Sequence, residues 1–170
     1  MPMQYRRAIR WVLYALMVLV AFLLQSVAFA SNIFFSFKLD LVVVAAISAA
    51  LFLGAERGSL FCLAVGVVYC FTGADMGPVV LVGLTFCGAL AGGACQAYFK
   101  KHLIPCALFA ALALALCDGS IFLLKLYFMQ TRLPVLTETV LPGLAASLAG
   151  VLIFFPVSWA IARIGGDTNG

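Results

Sequence analysis

A few polar side chains interrupt long apolar stretches of the sequence, and these are the residues whose types could do chemistry. Asp118 is the sharpest case, because it lies well inside an apolar run and Lys125 follows two helical turns later on the same face. Ionisable groups inside a membrane are costly and are functional candidates by default. Asp118 is therefore either a polar anchor facing the interior of a helix bundle or one wall of an ion or solute site.

Three further polar residues are candidates at the same side of the membrane. Gln25 lies near the end of the first apolar run, where its amide could form hydrogen bonds between helices. Asp40 and Asp75 precede the second and fourth runs and, with Asp118, give the outer side an acidic bias. Solvation at the interface alone would explain Asp40 and Asp75, and no cluster in the sequence matches a transporter's ion site.

Catalytic and metal-binding patterns are missing from the sequence. The one histidine, His102, follows two lysines at a turn, and the sequence has no HExxH, GxSxG or GxGD motif. The six cysteines all fall inside apolar runs without a CxxC pair or a neighbouring histidine. Cysteine in that setting packs as a small hydrophobic residue. We therefore expect neither an enzyme nor a metal or cofactor site.

The elements that must position these residues follow from composition. The 170-residue chain is 66% hydrophobic and 9% charged, and its mean hydropathy is +1.20. Soluble domains are about 45–50% apolar and about 25% charged, so the surplus apolar surface must face lipid. The net charge of +4 is spread over several loops, which excludes a basic patch for nucleic acid.

The apolar runs predict an all-α membrane protein, a single six-transmembrane-helix bundle over residues 1–170. About 20 residues make one crossing, and the second and third runs are shorter, which favours a helical hairpin with little tilt or ends that extend into the flanking loops. The predicted spans are 11–30, 40–54, 58–72, 79–98, 103–128 and 140–162.

The basic residues predict the orientation of these spans. With the N-terminus inside, one side holds seven of the ten lysines and arginines and the other holds Lys38, Lys125 and Arg132. This asymmetry places both termini in the cytoplasm. An alternative is cleavage after Ala28-Phe29-Ala30, which has the form of a signal-peptide site. The preceding apolar stretch is longer than a secretory signal requires and is interrupted by Gln25.

Small residues at helical spacing predict how the helices pack, because close approach at glycine and alanine drives helix association in lipid. Gly88 and Gly92 form a GxxxG pair in the fourth span. Such faces serve either packing within the chain or docking of a partner's helix. Pro156 lies deep in the sixth span and predicts a kink there, which leaves room for a crevice or a partner helix. Similar pairs are Gly54/Gly58, Gly143/Ser147 and Ala146/Gly150.

Residues scattered over most of the chain follow an order that is found in one family of membrane proteins. They are Arg10-Trp11-Val12 and Leu23-Leu24-Gln25, Lys38-Leu39-Asp40-Leu41-Val42, the glycines 54, 58, 66 and 77, Asp118 with the aromatic-rich segment 122–128, and Pro156 with Arg163. In these positions the chain resembles the MreD family, the small membrane component of the bacterial rod-shape machinery. Leu39 replaces a usual proline, and Tyr69 and Cys70 follow Gly66 where the family often has an aspartate, so no role of that acid is carried over.

The resemblance implies a bundle similar to the substrate-binding subunits of ECF vitamin transporters, located in the bacterial cytoplasmic (inner) membrane. It implies direct binding to MreC through the single transmembrane helix of that protein. Through MreC it implies indirect links to RodA, to the transpeptidase partner of RodA and to MreB.

Three hypotheses of function remain open at this point. The first is a non-enzymatic scaffold that binds MreC and supports lateral peptidoglycan synthesis, with Gln25, Asp40 and Asp118 as polar determinants and Gly88, Gly92 and Pro156 as shape determinants. The second is the substrate-capturing subunit of a vitamin-type transporter, in which Asp118 would line an outward-open pocket. The third is a generic assembly factor without a fixed ligand.

Overall fold

The computed structural model describes residues 3–30, 40–71, 77–98, 102–129 and 141–164, and these residues are almost entirely helical. The helices are α1 (Met3–Ala30), α2 (Leu41–Leu53), α3 (Ala55–Phe71), α4 (Gly77–Ala97), α5 (Leu103–Met129), α6 (Leu141–Ala149) and α7 (Val151–Ile164). No strand occurs in this part of the chain. The all-helical class that the composition predicts is confirmed.

Four helical stretches are long and apolar enough to cross a membrane. They are Ala8–Val27, Pro78–Ala97, Leu103–Phe128 and Leu141–Ile164, with about a third of each buried inside the protein. The rest of their surface is largely apolar and exposed, which is the arrangement that suits lipid as the surrounding solvent. Four apolar helices of this length indicate a multi-pass membrane protein.

The short helix α2 is the centre of the fold. It has 13 residues, and Val42 to Leu53 are all buried. A helix that is hydrophobic on every side belongs in a core, and α2 contacts each of the other six helices. At a rise of about 1.5 Å per residue its length is roughly 20 Å, shorter than the hydrocarbon layer of a bilayer at about 30 Å.

A tight turn at Gly54 joins α2 to α3. Gly54 has φ of +88°, which is a left-handed conformation that glycine adopts without strain. Its N–H donates to the carbonyl of Ala50 at 3.1 Å, and its own carbonyl accepts from the N–H of Gly58 at 2.7 Å. These bonds end one helix and begin the next, and they place Glu56 and Arg57 on the surface.

The predicted sixth span is divided into α6 and α7 at Gly150, whereas the sequence predicts a kink at Pro156. Pro156 lies inside α7. The N–H of Gly150 donates to the carbonyl of Ser147 at 3.0 Å, and the carbonyl of Gly150 accepts from Ile153 and Phe154. The carbonyl with which Pro156 would clash, four residues before it, belongs to Leu152 inside α7. The break lies two residues further upstream, at Gly150, where a β-carbon would come within 2.9 Å of the Leu41 side chain.

Candidate functional site

Four buried polar side chains meet at the N-terminal end of α2. Asp40 stands directly before α2, Gln25 comes from the last third of α1, Tyr69 from the end of α3 and Ser147 from α6. Their relative exposures are 2% for Asp40, 7% for Gln25, 3% for Tyr69 and 1% for Ser147. We refer to these four residues as the α2 polar cluster.

Gln25 and Ser147 supply acceptors for the first amides of α2. The Gln25 Oε1 atom accepts from the Val42 N–H at 3.2 Å, and the Ser147 Oγ atom accepts from the Asp40 N–H at 2.9 Å. The first amides of a helix have no partner within the helix and must find one elsewhere. Here two other helices provide the partners, since the Asp40 side chain makes no capping hydrogen bond.

The Asp40 carboxyl group is bonded to two other helices instead. Its Oδ1 atom accepts from Gln25 Nε2 at 3.2 Å and from the Tyr69 hydroxyl at 2.9 Å. A carboxyl group also suits the N-terminus of a helix, where the helix dipole favours negative charge. Gln25 therefore uses both ends of its amide, and the cluster joins α1, α2, α3 and α6.

Sequence reasoning identified Gln25 and Asp40 but missed Tyr69 and Ser147. Tyr69 was noted only where the MreD pattern has an aspartate, and Ser147 only as a small residue for packing. The available signal was weak: a tyrosine hydroxyl inside an apolar helix needs a hydrogen-bond acceptor, and Asp40 is one of few acceptors near the predicted end of that helix.

A second polar contact joins α1 to α7. The Tyr14 hydroxyl donates to the carbonyl oxygen of Ser158 at 3.3 Å, and the Ser158 hydroxyl donates to the sulfur of Met17 at 3.4 Å. Tyr14 and Ser158 are fully buried. The Tyr14 ring also lies edge-on to Phe61 of α3, with ring centroids 6.3 Å apart, so this contact joins three helices in the first half of α1.

Gly88 and Gly92 pack inside the chain. A β-carbon on Gly92 would lie 2.5 Å from the carbonyl carbon of Gly54, and one on Gly88 would lie 2.5 Å from Cys62 Sγ. The glycine face of α4 is thus covered by α3 and by the α2–α3 turn. Packing within the chain, one of the two uses that the sequence allows for such a face, accounts for these two glycines.

Pro156 and Asp118 are more accessible than the other candidates. Pro156 is exposed on α7, and Asp118 is half-buried on α5. The side chain of Lys125 and the whole of Asp75 lie outside the described residues, so the predicted pairing of Asp118 with Lys125 stays a prediction.

The chemistry of the described residues is that of packing and internal hydrogen bonding. Among them no group of three or more histidine, cysteine or acidic side chains is arranged to hold a metal ion. The cysteines are free thiols, buried except for half-buried Cys70. Cys106 lies 3.5 Å from the hydroxyl of Ser48, and Cys62 donates to the carbonyl of Ala46 at 3.7 Å, so both pack against α2.

Comparison of the chain with models of protein families, with curated proteins and with solved structures found no match.

Proposed function

We propose that this chain is a non-enzymatic scaffold of the bacterial inner membrane, of the MreD kind, that binds MreC and supports lateral peptidoglycan synthesis. The observation that carries the proposal is the inward direction of the polar side chains. Gln25, Asp40, Tyr69 and Ser147 bond to one another and to the start of α2. What the chain offers to its surroundings is apolar helix surface, which suits docking of another helix.

The proposal includes six crossings with both termini in the cytoplasm, in a bundle like that of the ECF substrate-binding subunits. In this arrangement Gln25, Asp40, Tyr69 and Ser147 all lie toward the outer side, which agrees with their contacts. At the opposite side, the guanidinium carbon of Arg163 lies 3.8 Å from the centre of the Trp159 ring. A tryptophan stacked with a basic residue is typical of a membrane interface.

The docking surface that we propose for the MreC helix is the exposed face of α6 and α7. Ala145, Ala149, Pro156 and Ala160 are all exposed. A spacing of four residues puts Ala145 beside Ala149 on α6 and Pro156 beside Ala160 on α7. Small side chains allow two helices to approach closely in lipid. The docking surface keeps Pro156 as a shape determinant. Its exposed alanines take the role that the sequence suggested for Gly88 and Gly92.

Binding of MreC would link the chain to RodA, to the transpeptidase partner of RodA and to MreB, none of which the scaffold need contact directly. Asp118 stays a proposed polar determinant, because its half-buried position on α5 leaves part of its surface open to a partner. Gln25 and Asp40 act indirectly in this proposal, by fixing α1 and α6 relative to α2.

Co-purification with MreC tests the proposal. Leucine at two positions of the docking surface, Ala149→Leu with Ala160→Leu, should reduce MreC recovery at least about tenfold, because bulky side chains separate the helices by more than close packing tolerates. The matched control makes the same change on exposed alanines of α3 and α5, Ala64→Leu with Ala115→Leu, and should leave recovery unchanged.

Two outcomes would overturn the proposal. Wild-type recovery of MreC by a folded Ala149→Leu/Ala160→Leu variant would remove the docking surface. Failure of the folded wild-type chain to retain MreC at all, together with a rise in thermal stability on adding a vitamin-type solute, would assign the chain to solute capture instead.

A further inference from the structure

The short helix α6 is less buried than the helix that follows it, although Leu144 and Leu148 pack against the core. It has nine residues, of which only Gly143 and Ser147 are buried, while Leu141, Ala145 and Ala149 are exposed. By contrast, five residues of α7 are buried, Val151, Phe154, Ser158, Ile161 and Ala162. The first part of the last helical pair thus contributes fewer buried residues than the second part.

The junction between α6 and α7 has the features of a hinge. Helix geometry stops at Gly150, and the carbonyl of Gly150 accepts two amides of α7 while its N–H bonds back to Ser147 in α6. Kinks in long helices occur at glycine and proline, and here Pro156 follows within α7. Bending at Gly150 therefore disturbs little of the packed part of α7.

One side chain connects α6 to the α2 polar cluster. The Ser147 hydroxyl accepts the backbone N–H of Asp40 at 2.9 Å, and its burial is nearly complete. Movement of α6 away from α2 would break this hydrogen bond. Separate bonds to Gln25 and Tyr69 hold the Asp40 carboxyl group in place.

We propose that α6 is a hinged segment that swings at Gly150 and is held closed by the hydrogen bond from the Asp40 amide to Ser147. The closed position hides the α2 polar cluster, and the open position presents the Asp40 carboxyl group and the α2 N-terminus to the outer side. The hinge does not depend on the identity of any partner of the chain, and the assignment of its outer side rests on the six crossings of the proposed function.

Distances between spin labels in the reconstituted full-length chain test the hinge. One pair of labels, at Leu24→Cys in α1 and Leu141→Cys in α6, reports on the moving segment. A reference pair, at Leu24→Cys and Leu152→Cys, reports on α7. All three positions are exposed, and the half-buried Cys70 is replaced by serine to avoid background labelling.

We expect two distance populations for the α1–α6 pair and one for the α1–α7 pair. Ser147→Ala should raise the minor α1–α6 population about threefold, the effect expected for loss of one average hydrogen bond between helices in a membrane. Ser48→Ala is the matched control, because it removes another fully buried serine hydroxyl whose bond to the Val44 carbonyl lies within α2, and it should change neither pair.

A single α1–α6 distance that Ser147→Ala leaves unchanged would overturn the hinge. A shift of the α1–α7 distance together with the α1–α6 distance would also overturn it, because α6 and α7 would then move as one body. The reference pair also identifies a variant that has simply lost its fold, and in that event Ser147→Thr, which keeps the hydroxyl, should restore both wild-type distributions.

Discussion

Gln25 shows how one uncharged side chain can organise the end of a buried helix. Its amide oxygen accepts from Val42 and its amide nitrogen donates to Asp40, so it satisfies a main-chain group and a side-chain group at once. In the hydrocarbon region of a membrane such groups have no water with which to form hydrogen bonds. The contribution of Gln25 is therefore mainly the avoidance of two unsatisfied polar groups.

Replacement of Gln25 by methionine, which has a similar size and no amide, should lower the free energy of unfolding by about 1–2 kcal/mol, since two hydrogen bonds between helices are lost. The measurement is thermal unfolding in detergent, followed by circular dichroism. Ser26→Ala is the control, because Ser26 is the exposed neighbour of Gln25. Equal unfolding midpoints for the two variants would contradict the role given to Gln25.

Tyr69 and Tyr14 provide a second comparison between matched residues. Each is buried, and the hydroxyl of each donates a hydrogen bond. Tyr69 donates to a carboxyl oxygen at 2.9 Å, and Tyr14 donates to a helical carbonyl at 3.3 Å. The shorter bond to a carboxyl group is the stronger type. Tyr69→Phe should therefore destabilise the chain by about 1 kcal/mol more than Tyr14→Phe does, and the reverse order in thermal unfolding would count against the α2 polar cluster.

At the scale of residues, the sequence predicts which side chains are structurally important better than it predicts which groups they contact. Gln25 and Asp40 stand out because each is polar beside or within an apolar run. Their partners do not, since Tyr69 is 29 residues from Asp40 and Ser147 is 107 residues from it. Contacts over such separations depend on how the helices are arranged around α2, which periodicity alone does not fix.

At the scale of helices, α2 and α4 show how the sequence specifies the interior of the bundle. α2 is apolar on every side, and α4 has glycines on the face that it buries. α2 contains no charged residue, and its one hydroxyl, that of Ser48, donates to the Val44 carbonyl at 2.8 Å within the helix. The backbone of α4 touches the α2–α3 turn at Gly92. A β-carbon on Gly92 would not fit between these two backbones.

Adjacent glycines of α4 make this contact testable. A β-carbon at Gly92 would meet main-chain atoms of the α2–α3 turn at 2.5–2.8 Å, whereas one at Gly93 would lie 3.5 Å from Ala55 Cβ. Gly92→Ala should destabilise the chain by about 1–3 kcal/mol through overpacking. Gly93→Ala should be neutral or stabilising by up to about 1 kcal/mol, because alanine favours helix. Equal unfolding midpoints for the two variants would refute the backbone contact.

The helices themselves were largely predictable, because apolar runs and charged turns delimit them. α2, α3, α4 and α5 begin and end close to the predicted spans, and α1 begins earlier, at Met3. The break at Gly150 was not predicted, because proline is the stronger signal in sequence and the glycine acts only through its place near Leu41 and Ser147. The central position of α2 could have been inferred from its lack of a polar side.

At the scale of the whole molecule, the described part of the chain consists of helices arranged around α2 with an apolar outer surface. The polar groups of the α2 polar cluster bond the helices of the chain to one another. This is why we propose that the molecule functions by docking another helix on its apolar surface. The composition predicted the membrane class. It could not predict which helix faces lie inside, and for that reason it left open whether Gly88 and Gly92 dock a partner or pack against α3 and the α2–α3 turn, as they do.

The proposed scaffold requires that the α2–α3 hairpin cross the membrane and that its turn reach the cytoplasm, although α2 is short. Single cysteines in spheroplasts, probed with a membrane-impermeant thiol reagent after replacement of Cys70, test this most directly. Arg57 in the turn and Phe71 at the end of α3 are both exposed. The account predicts that Phe71→Cys reacts in intact spheroplasts and that Arg57→Cys reacts only after the membrane is permeabilised. Reaction of Arg57→Cys from outside, or protection of it even after permeabilisation, would contradict the six crossings.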